Sequence, residues 1–176
     1  KRQDFIQVNA DINASIVDAV ITALALEQND TVLELFCGLG NFTLPIAKQV
    51  KQITAVEGDP GLVQRARENA ARNQIHNAGF HVANLMQDVS ALPWIQGRHY
   101  ERVFLDPPRS GAQELLPVLG KLRPARIVYV SCNPATLARD AGILQRDYHY
   151  ALIEAGVMDM FPHTAHVESI AVFVQR

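Results

Sequence analysis

Thr31-Val32-Leu33-Glu34-Leu35-Phe36 is a run of β-favouring residues that ends in Cys37-Gly38-Leu39-Gly40-Asn41, after which helical spacing resumes through Leu44, Ile46 and Ala47. This succession of strand, glycine turn and helix decides the fold. Gly38-x-Gly40 lets the backbone turn sharply and approach a ligand that a Cβ would exclude. The unit then repeats. Ile53-Thr54-Ala55-Val56-Glu57 reads as a second strand closed by Gly58, and Asp59 and Pro60 supply the N-cap and first turn of a helix to about Asn73.

Working outward, Phe80–Ala83, Arg102–Leu105 and Ile127–Val130 read as further strands, and Pro134 stands where another helix begins. Upstream, Ile12, Ile16, Val17, Val20, Ile21 and Leu24 recur at helical spacing, with Asp11 and Asn13 available as caps. Near the end, a strand around Tyr150–Ile153 is joined by a short loop to Ser169–Val174, so this last strand is expected to be antiparallel. Helices and strands alternate throughout. The pattern predicts an α/β, Rossmann-like fold: a mostly parallel seven-stranded sheet with an antiparallel last strand, helices on both faces, and sites at the carboxyl ends of the strands. With 176 residues, 48% of them hydrophobic, the chain can bury one substantial core but not two, so residues 1–176 are expected to form a single domain.

No apolar run reaches the ~18 residues that span a bilayer, and Lys1-Arg2 leads into Asp4 rather than an apolar signal core. A soluble, cytoplasmic protein without a membrane partner is expected. Cys37 and Cys132 are the only cysteines, too few for a disulfide framework, an iron–sulfur cluster or a structural zinc. The chain opens on Lys1 without a methionine, which suggests a piece of a longer protein.

The glycine turn admits two cofactor classes. The dinucleotide fingerprint needs a third glycine where this chain has Thr43, which tilts the reading from a nicotinamide cofactor toward S-adenosylmethionine. Glu57, at the end of the second strand, can accept hydrogen bonds from ribose hydroxyls, an acid that both classes use. Asn84 follows the third strand, either near an adenine or as a loop-capping residue. Glu34 is left unassigned.

After the fourth strand, Asp106-Pro107-Pro108-Arg109-Ser110-Gly111 is a stiff extended segment that projects Asp106 over the cofactor's reactive end. Amino-methyltransferases carry a similar acid or amide, two prolines and a stacking aromatic ring. Arg109 takes the aromatic position here, which disfavours adenine-N6 chemistry. After the fifth strand, Ser131-Cys132-Asn133-Pro134 sets Cys132 at a helix N-terminus, where free N–H groups and the helix dipole favour the negative charge that a nucleophilic sulfur carries. Cys37 lacks that context and reads as a packing residue. His163 and His166 lie with Phe161-Pro162, Thr164 and Glu168 in a loop at a spacing unlike a helical metal pair, so no metal is expected and both read as loop hydrogen-bonders, with a place near substrate as the alternative for His163.

A nucleophilic cysteine and a basic carboxylate have a shared use in methyl transfer to carbon 5 of a pyrimidine. Sulfur addition at carbon 6 pushes electron density onto carbon 5, and a base must later remove the carbon-5 proton. Glu168 is the candidate base.

Taken together, these residues resemble the RNA uracil-C5 methyltransferase family over nearly the whole chain. The resemblance rests on Phe5-Ile6-Gln7-Val8-Asn9, on Leu35 to Thr43, on Asp106 to Gly111, on Ile127 to Thr136 and on Met158 to Glu168. It implies a methyltransferase fold, S-adenosyl-L-methionine as cofactor, Cys132 as nucleophile, Glu168 as base, and a cofactor pocket lined by Gln7, Phe36, Asn41, Glu57, Asn84 and Asp106. The turn is most similar to the branch that modifies 23S ribosomal RNA and less so to the tRNA branch, and no protein partner is implied. Members of the first branch also carry an upstream OB-like RNA-binding domain and a cysteine-ligated iron–sulfur cluster, neither of which lies within these residues.

Three alternatives stand beside this reading. A nicotinamide-dependent oxidoreductase leaves Cys132 and Glu168 without a use. A noncatalytic RNA-binding module is opposed by the net charge of -2. Cytosine-C5 methylation lacks the second cysteine that many such enzymes carry after the fourth strand. The near-neutral charge predicts weak, salt-sensitive binding of RNA by this chain compared with a full-length protein that carries an RNA-binding domain. Filter binding at two salt concentrations measures this, and equal affinities would contradict it.

Overall fold

The computed structural model describes residues 14–159 and 167–176. A helix, α1, covers residues 14–24. There follow β1 (Thr31–Leu35), α2 (Thr43–Ala47), β2 (Gln52–Glu57), α3 (Pro60–Arg72), β3 (Ala78–Val82) and β4 (Arg102–Leu105). A 3-10 turn, Gln113–Leu115, leads into α4 (Leu116–Leu122), then β5 (Arg126–Ser131), α5 (Pro134–Tyr148), β6 (Tyr150–Asp159) and β7 (Val167–Gln175). The strands form one seven-stranded sheet in the order β3-β2-β1-β4-β5-β7-β6. β1 to β5 are parallel, and β7 runs antiparallel between β5 and β6.

Strand parity explains the two faces. Val32, Phe104, Val128, Val130 and Val172 point to one side, where Ile16, Val20 and Leu24 of α1 and Ile46 of α2 cover them. The same side carries α3, which packs Val63, Ala66 and Ala70 on Ala55 and Phe80. Leu33, Leu35, Val103, Leu105, Tyr129 and Phe173 point to the other side, under Leu116 and Leu119 of α4 and Leu137, Ala141 and Leu144 of α5. Such near-continuous apolar strands are what a sheet covered on both faces requires.

The expected caps form. Asp59 Oδ1 accepts from the N–H groups of Gly61 and Leu62 at 2.6 and 3.1 Å, and Asn133 Oδ1 accepts from Ala135 N–H at 3.1 Å. The end of α1 is held by two arginines at the starts of strands: Arg126 donates to the Ala23 carbonyl, and Arg102 to those of Leu24 and Ala25. These cations satisfy the terminal carbonyls that a helix cannot pair internally.

One expectation fails. Helices and strands do not alternate throughout, because residues 83–101 between β3 and β4 contain no helix. Asn84 and Asp88 fold their side chains back onto the N–H groups of Met86 and Ser90, offering the backbone turns in place of helical bonds. Leu85, Val89, Trp94 and Ile95 from this stretch still fill the layer that a helix would have covered. β6 and β7 are also longer than the sequence signalled.

Among the described residues, no helix is long and apolar enough to cross a membrane. α4 and α5 meet so closely at Gly120 that a Cβ there would lie 2.0 Å from Cδ1 of Tyr148. Gly120→Ala is therefore expected to destabilise the fold by about 1–3 kcal/mol through overpacking, despite alanine's better helix propensity. Chemical denaturation checks this, and Tyr148→Ala in the same chain should recover part of the loss.

Candidate active site at the carboxyl edge of the sheet

The turn after β1 is built from unusual backbone. Phe36 has φ +65°, Gly38 +54° and Gly40 +85°. A left-handed conformation is uncommon for an aromatic residue and persists only where its surroundings hold it. Here the Cys37 N–H bonds the Val56 carbonyl at 3.1 Å, and the Gly40 N–H bonds the Cys37 carbonyl at 2.9 Å. The result turns Phe36 over the strand ends.

Phe36, Glu57, Gly58, Asn84, Leu85, Met86, Asp106 and Pro108 line a cleft of about 380 Å³, within the ~300–1,000 Å³ typical of small-molecule sites. Four of the expected cofactor residues, Phe36, Glu57, Asn84 and Asp106, are thus brought together. Asn84 caps its loop, its Oδ1 accepting from Met86 N–H at 3.0 Å, and it also lines the cleft. Asn41 lies exposed in the glycine turn and is not among the lining residues. Gln7, with His163 and His166, lies outside the described residues.

Glu57 is held by three backbone donors. Oε2 accepts from Gly38 N–H at 3.1 Å, and Oε1 from Gly58 and Asp59 N–H at 2.7 and 3.1 Å. This fixes a carboxylate at the rim with lone pairs left for hydroxyl donors. With the apolar walls of Phe36, Leu85, Met86 and Pro108, the cleft fits an adenosine-containing molecule.

Two other acids sit in drier surroundings. Burial, and then the charge of Glu168, push Asp106 up to about 7. Glu34 is fully buried beneath the turn, and burial pushes it up to about 8, with the Asp106 charge adding to the rise and the hydroxyl of Thr43 opposing it. Thr43 Oγ1 donates to Glu34 Oε2, while Glu34 Oε1 has no partner among the described residues. Sequence reasoning left Glu34 unassigned. Its signal was a carboxyl inside an otherwise apolar strand. Cys37 is buried too, and burial with the nearby charges of Glu34 and Glu57 raises its thiol, as suits a packing residue.

Cys132 is exposed, one residue past the end of β5. The β5–β7 ladder ends at the pair Ser131↔Ser169, so Cys132 and Glu168 are the next residues on the two segments beyond that rung. β4 and β5 are neighbours, which sets Asp106, one residue past β4, on the adjacent strand end. The three residues expected to touch the chemistry therefore share one corner of the sheet. Sequence spacing did not reveal the seam beside them, in which Asn133 Nδ2 and Thr136 Oγ1 both donate to the Arg109 carbonyl.

A family model described as tRNA (Uracil-5-)-methyltransferase matches residues 1–176. The chain belongs to the tRNA (uracil-5-)-methyltransferase family. Within reach of this family, the chain is 56% identical over 173 residues, 98% of its length, to the 23S rRNA (uracil(1939)-C(5))-methyltransferase RlmD of Xanthomonas euvesicatoria. It is 58% identical over 170 residues, 97% of its length, to the protein of that name from Methylococcus capsulatus. The matches cover 39% and 38% of those proteins, so the chain spans about two fifths of the curated relatives it matches. Among solved structures, it resembles the Pyrococcus abyssi tRNA (uracil-54, C5)-methyltransferase in complex with S-adenosyl-L-homocysteine, with TM-score 0.76 and 32% identity over 92% of this chain and 38% of that one. The precorrin-6y C5,15-methyltransferase of Geobacter metallireducens, at TM-score 0.77 and 14% identity over 92% of this chain and 88% of that one, shares the fold alone. The Rossmann-like methyltransferase fold expected from the sequence is the one observed.

The raised value of Glu34 predicts how stability depends on pH. A carboxyl whose value rises from 4.5 to about 8 on folding favours the folded state most below 4.5, and that contribution is lost as pH climbs through 8. Glu34→Gln keeps an acceptor for Thr43 and cannot ionise. Denaturation at pH 5 and pH 9 should find the variant gaining on the parent at pH 9. A difference that does not change with pH would contradict this assignment.

Proposed function

We propose that this chain is the catalytic domain, over residues 1–176, of a cytoplasmic S-adenosylmethionine-dependent methyltransferase that forms 5-methyluridine in 23S ribosomal RNA. The observation that carries this reading is the meeting of an exposed cysteine, Cys132, with Glu168 beyond the last rung of the β5–β7 ladder, beside the Asp106 end of the cleft. The names of the curated relatives support ribosomal RNA over tRNA as substrate.

The proposed division of labour follows from position. Phe36, Glu57, Asn84 and Asp106 would hold S-adenosylmethionine, with Gln7 and Asn41 as the further residues that the resemblance implies. When bound, S-adenosylmethionine supplies an electrophilic methyl group. Cys132 Sγ adds to carbon 6 of the uracil, which makes carbon 5 electron-rich. Once carbon 5 is methylated, Glu168 takes its remaining proton, the electron pair of that C–H bond re-forms the ring double bond, and the bond from carbon 6 to Sγ breaks. Cys132 leaves as it entered, and a methylated uracil is released.

The two residues act at different stages, which makes the reading testable in the full-length protein with RNA and cofactor. Cys132→Ala should abolish both methylation and any covalent protein–RNA species. Glu168→Gln should retain addition and methyl transfer but stall before proton removal, so a methylated adduct accumulates as a slow band on a denaturing gel. If both variants were inactive without an adduct, Glu168 would not be the base.

A further inference from the structure

The loop that carries Asp106 and the turn that carries Cys132 are fastened to one another by a network behind the site. Its exposed layer consists of the Arg109 carbonyl, which accepts from Asn133 Nδ2 at 2.9 Å and Thr136 Oγ1 at 3.2 Å, and the Ser110 carbonyl, which accepts from an Arg139 guanidinium nitrogen at 2.9 Å. Beneath lies Asp140, whose side chain is fully buried. Its Oδ2 accepts from Ala112 N–H at 2.8 Å and Tyr129 O–H at 2.7 Å, and its Oδ1 accepts from Arg139 Nε at 2.8 Å. One carboxylate thus joins the end of the Asp106 loop, strand β5 and helix α5.

The fit around it is tight. Gly111 has φ +82°, and a Cβ there would lie 2.7 Å from Asp140 Oδ2 and 3.1 Å from Thr136 Cβ. The loop therefore rests directly on the first two turns of α5, the helix that begins two residues after Cys132. A buried charge with this many donors gives the seam one geometry, because any other arrangement leaves a charge or a donor unpaired in a dry place.

We propose that Asp140 is a positioning residue: by clamping residues 109–112 onto α5, it sets the separation between Cys132 and the Asp106 side of the cofactor cleft. The inference rests on the uracil-C5 reading. Carbons 5 and 6 are bonded neighbours, so the sulfur and the methyl donor must both be seated against one small ring. An error of about 1 Å in such an arrangement costs about 10²-fold in rate. Asp140 itself is not among the residues that line the cleft. Its loss should therefore slow the chemistry while leaving cofactor affinity nearly intact, a split that a general loss of stability would not produce.

The test uses the full-length protein, its Asp140→Asn and Tyr129→Phe variants, and RNA substituted with 5-fluorouridine. Carbon 5 of that base has no proton for a base to remove, so the bond between Sγ and carbon 6 persists after methyl transfer. Three quantities are measured: the rate of adduct formation, the affinity for S-adenosylhomocysteine by calorimetry, and Tm. Asp140→Asn should form the adduct about 10²-fold more slowly, with a lower Tm, as an amide N–H facing a donor in a buried site requires, but with affinity close to the parent at a temperature where both are folded. Tyr129→Phe, which removes a single donor and keeps the ring, should slow it less. Adduct formation at the parent rate in both variants overturns the proposal, as does slowing that is matched by an equal loss of affinity. Should Asp140→Asn fail to fold, Tyr129→Phe decides by the same two results. A parent protein that forms no adduct at all would instead remove the uracil-C5 reading on which the proposal stands.

Discussion

The β5–β7 register is the constraint on which the rest of the site depends. β7 inserts antiparallel between β5 and β6, and its pairing with β5 runs from Arg126↔Val174 to Ser131↔Ser169. That register alone carries Glu168 to Cys132 across a large interval of sequence. A slip by one residue would turn every side chain of β7 to the opposite face. The strand is pinned against this by apolar residues on both sides, Ile170 and Val172 in one core layer, Ala171 and Phe173 in the other. Core packing thus sets the distance between an exposed cysteine and a carboxylate.

The carboxyl edge then sorts its acids by surroundings. Glu57 is surrounded by backbone N–H groups and faces the rim of the cleft. Glu34 and Asp106 are drier and close to other carboxyls, and both are pushed upward, to about 8 and about 7. The same chemical group is prepared as a rigid acceptor in one position and as a proton-holding group in another, which is how a fold obtains different chemistry from one residue type.

Local signals carried much of this into the sequence. Gly38 and Gly40 marked a turn that the backbone angles require, Asp59 and Asn133 capped the helices they preceded, and apolar strand cores located the sheet. Glu57, Asn84 and Asp106 were legible because each stands at a strand end, and strand ends converge, whereas Phe36 came from the family resemblance. What local signals could not carry was tertiary. The loop-capping reading of Asn84 was available, but nothing near Asp88 announced that the two side chains would replace a helix with turns. Asp140 lies within an ordinary helical stretch, and its importance depends on Ala112 and Tyr129, which only the folded chain brings to it. Glu34 stood out as an acid inside an apolar strand, but its partner Thr43 and its neighbour Asp106 are set by the fold.

The claim that organises these findings is that Cys132, opposite Glu168, serves uracil-C5 methylation of ribosomal RNA. It is tested most directly in cells that lack the gene and carry back either the parent or the Cys132→Ala allele, by mapping 5-methyluridine in 23S ribosomal RNA and in tRNA. The account predicts that one 23S position loses 5-methyluridine, that the parent allele restores it and the alanine allele does not, and that tRNA is unchanged. An unaltered 23S map, or restoration by the alanine allele, would contradict it.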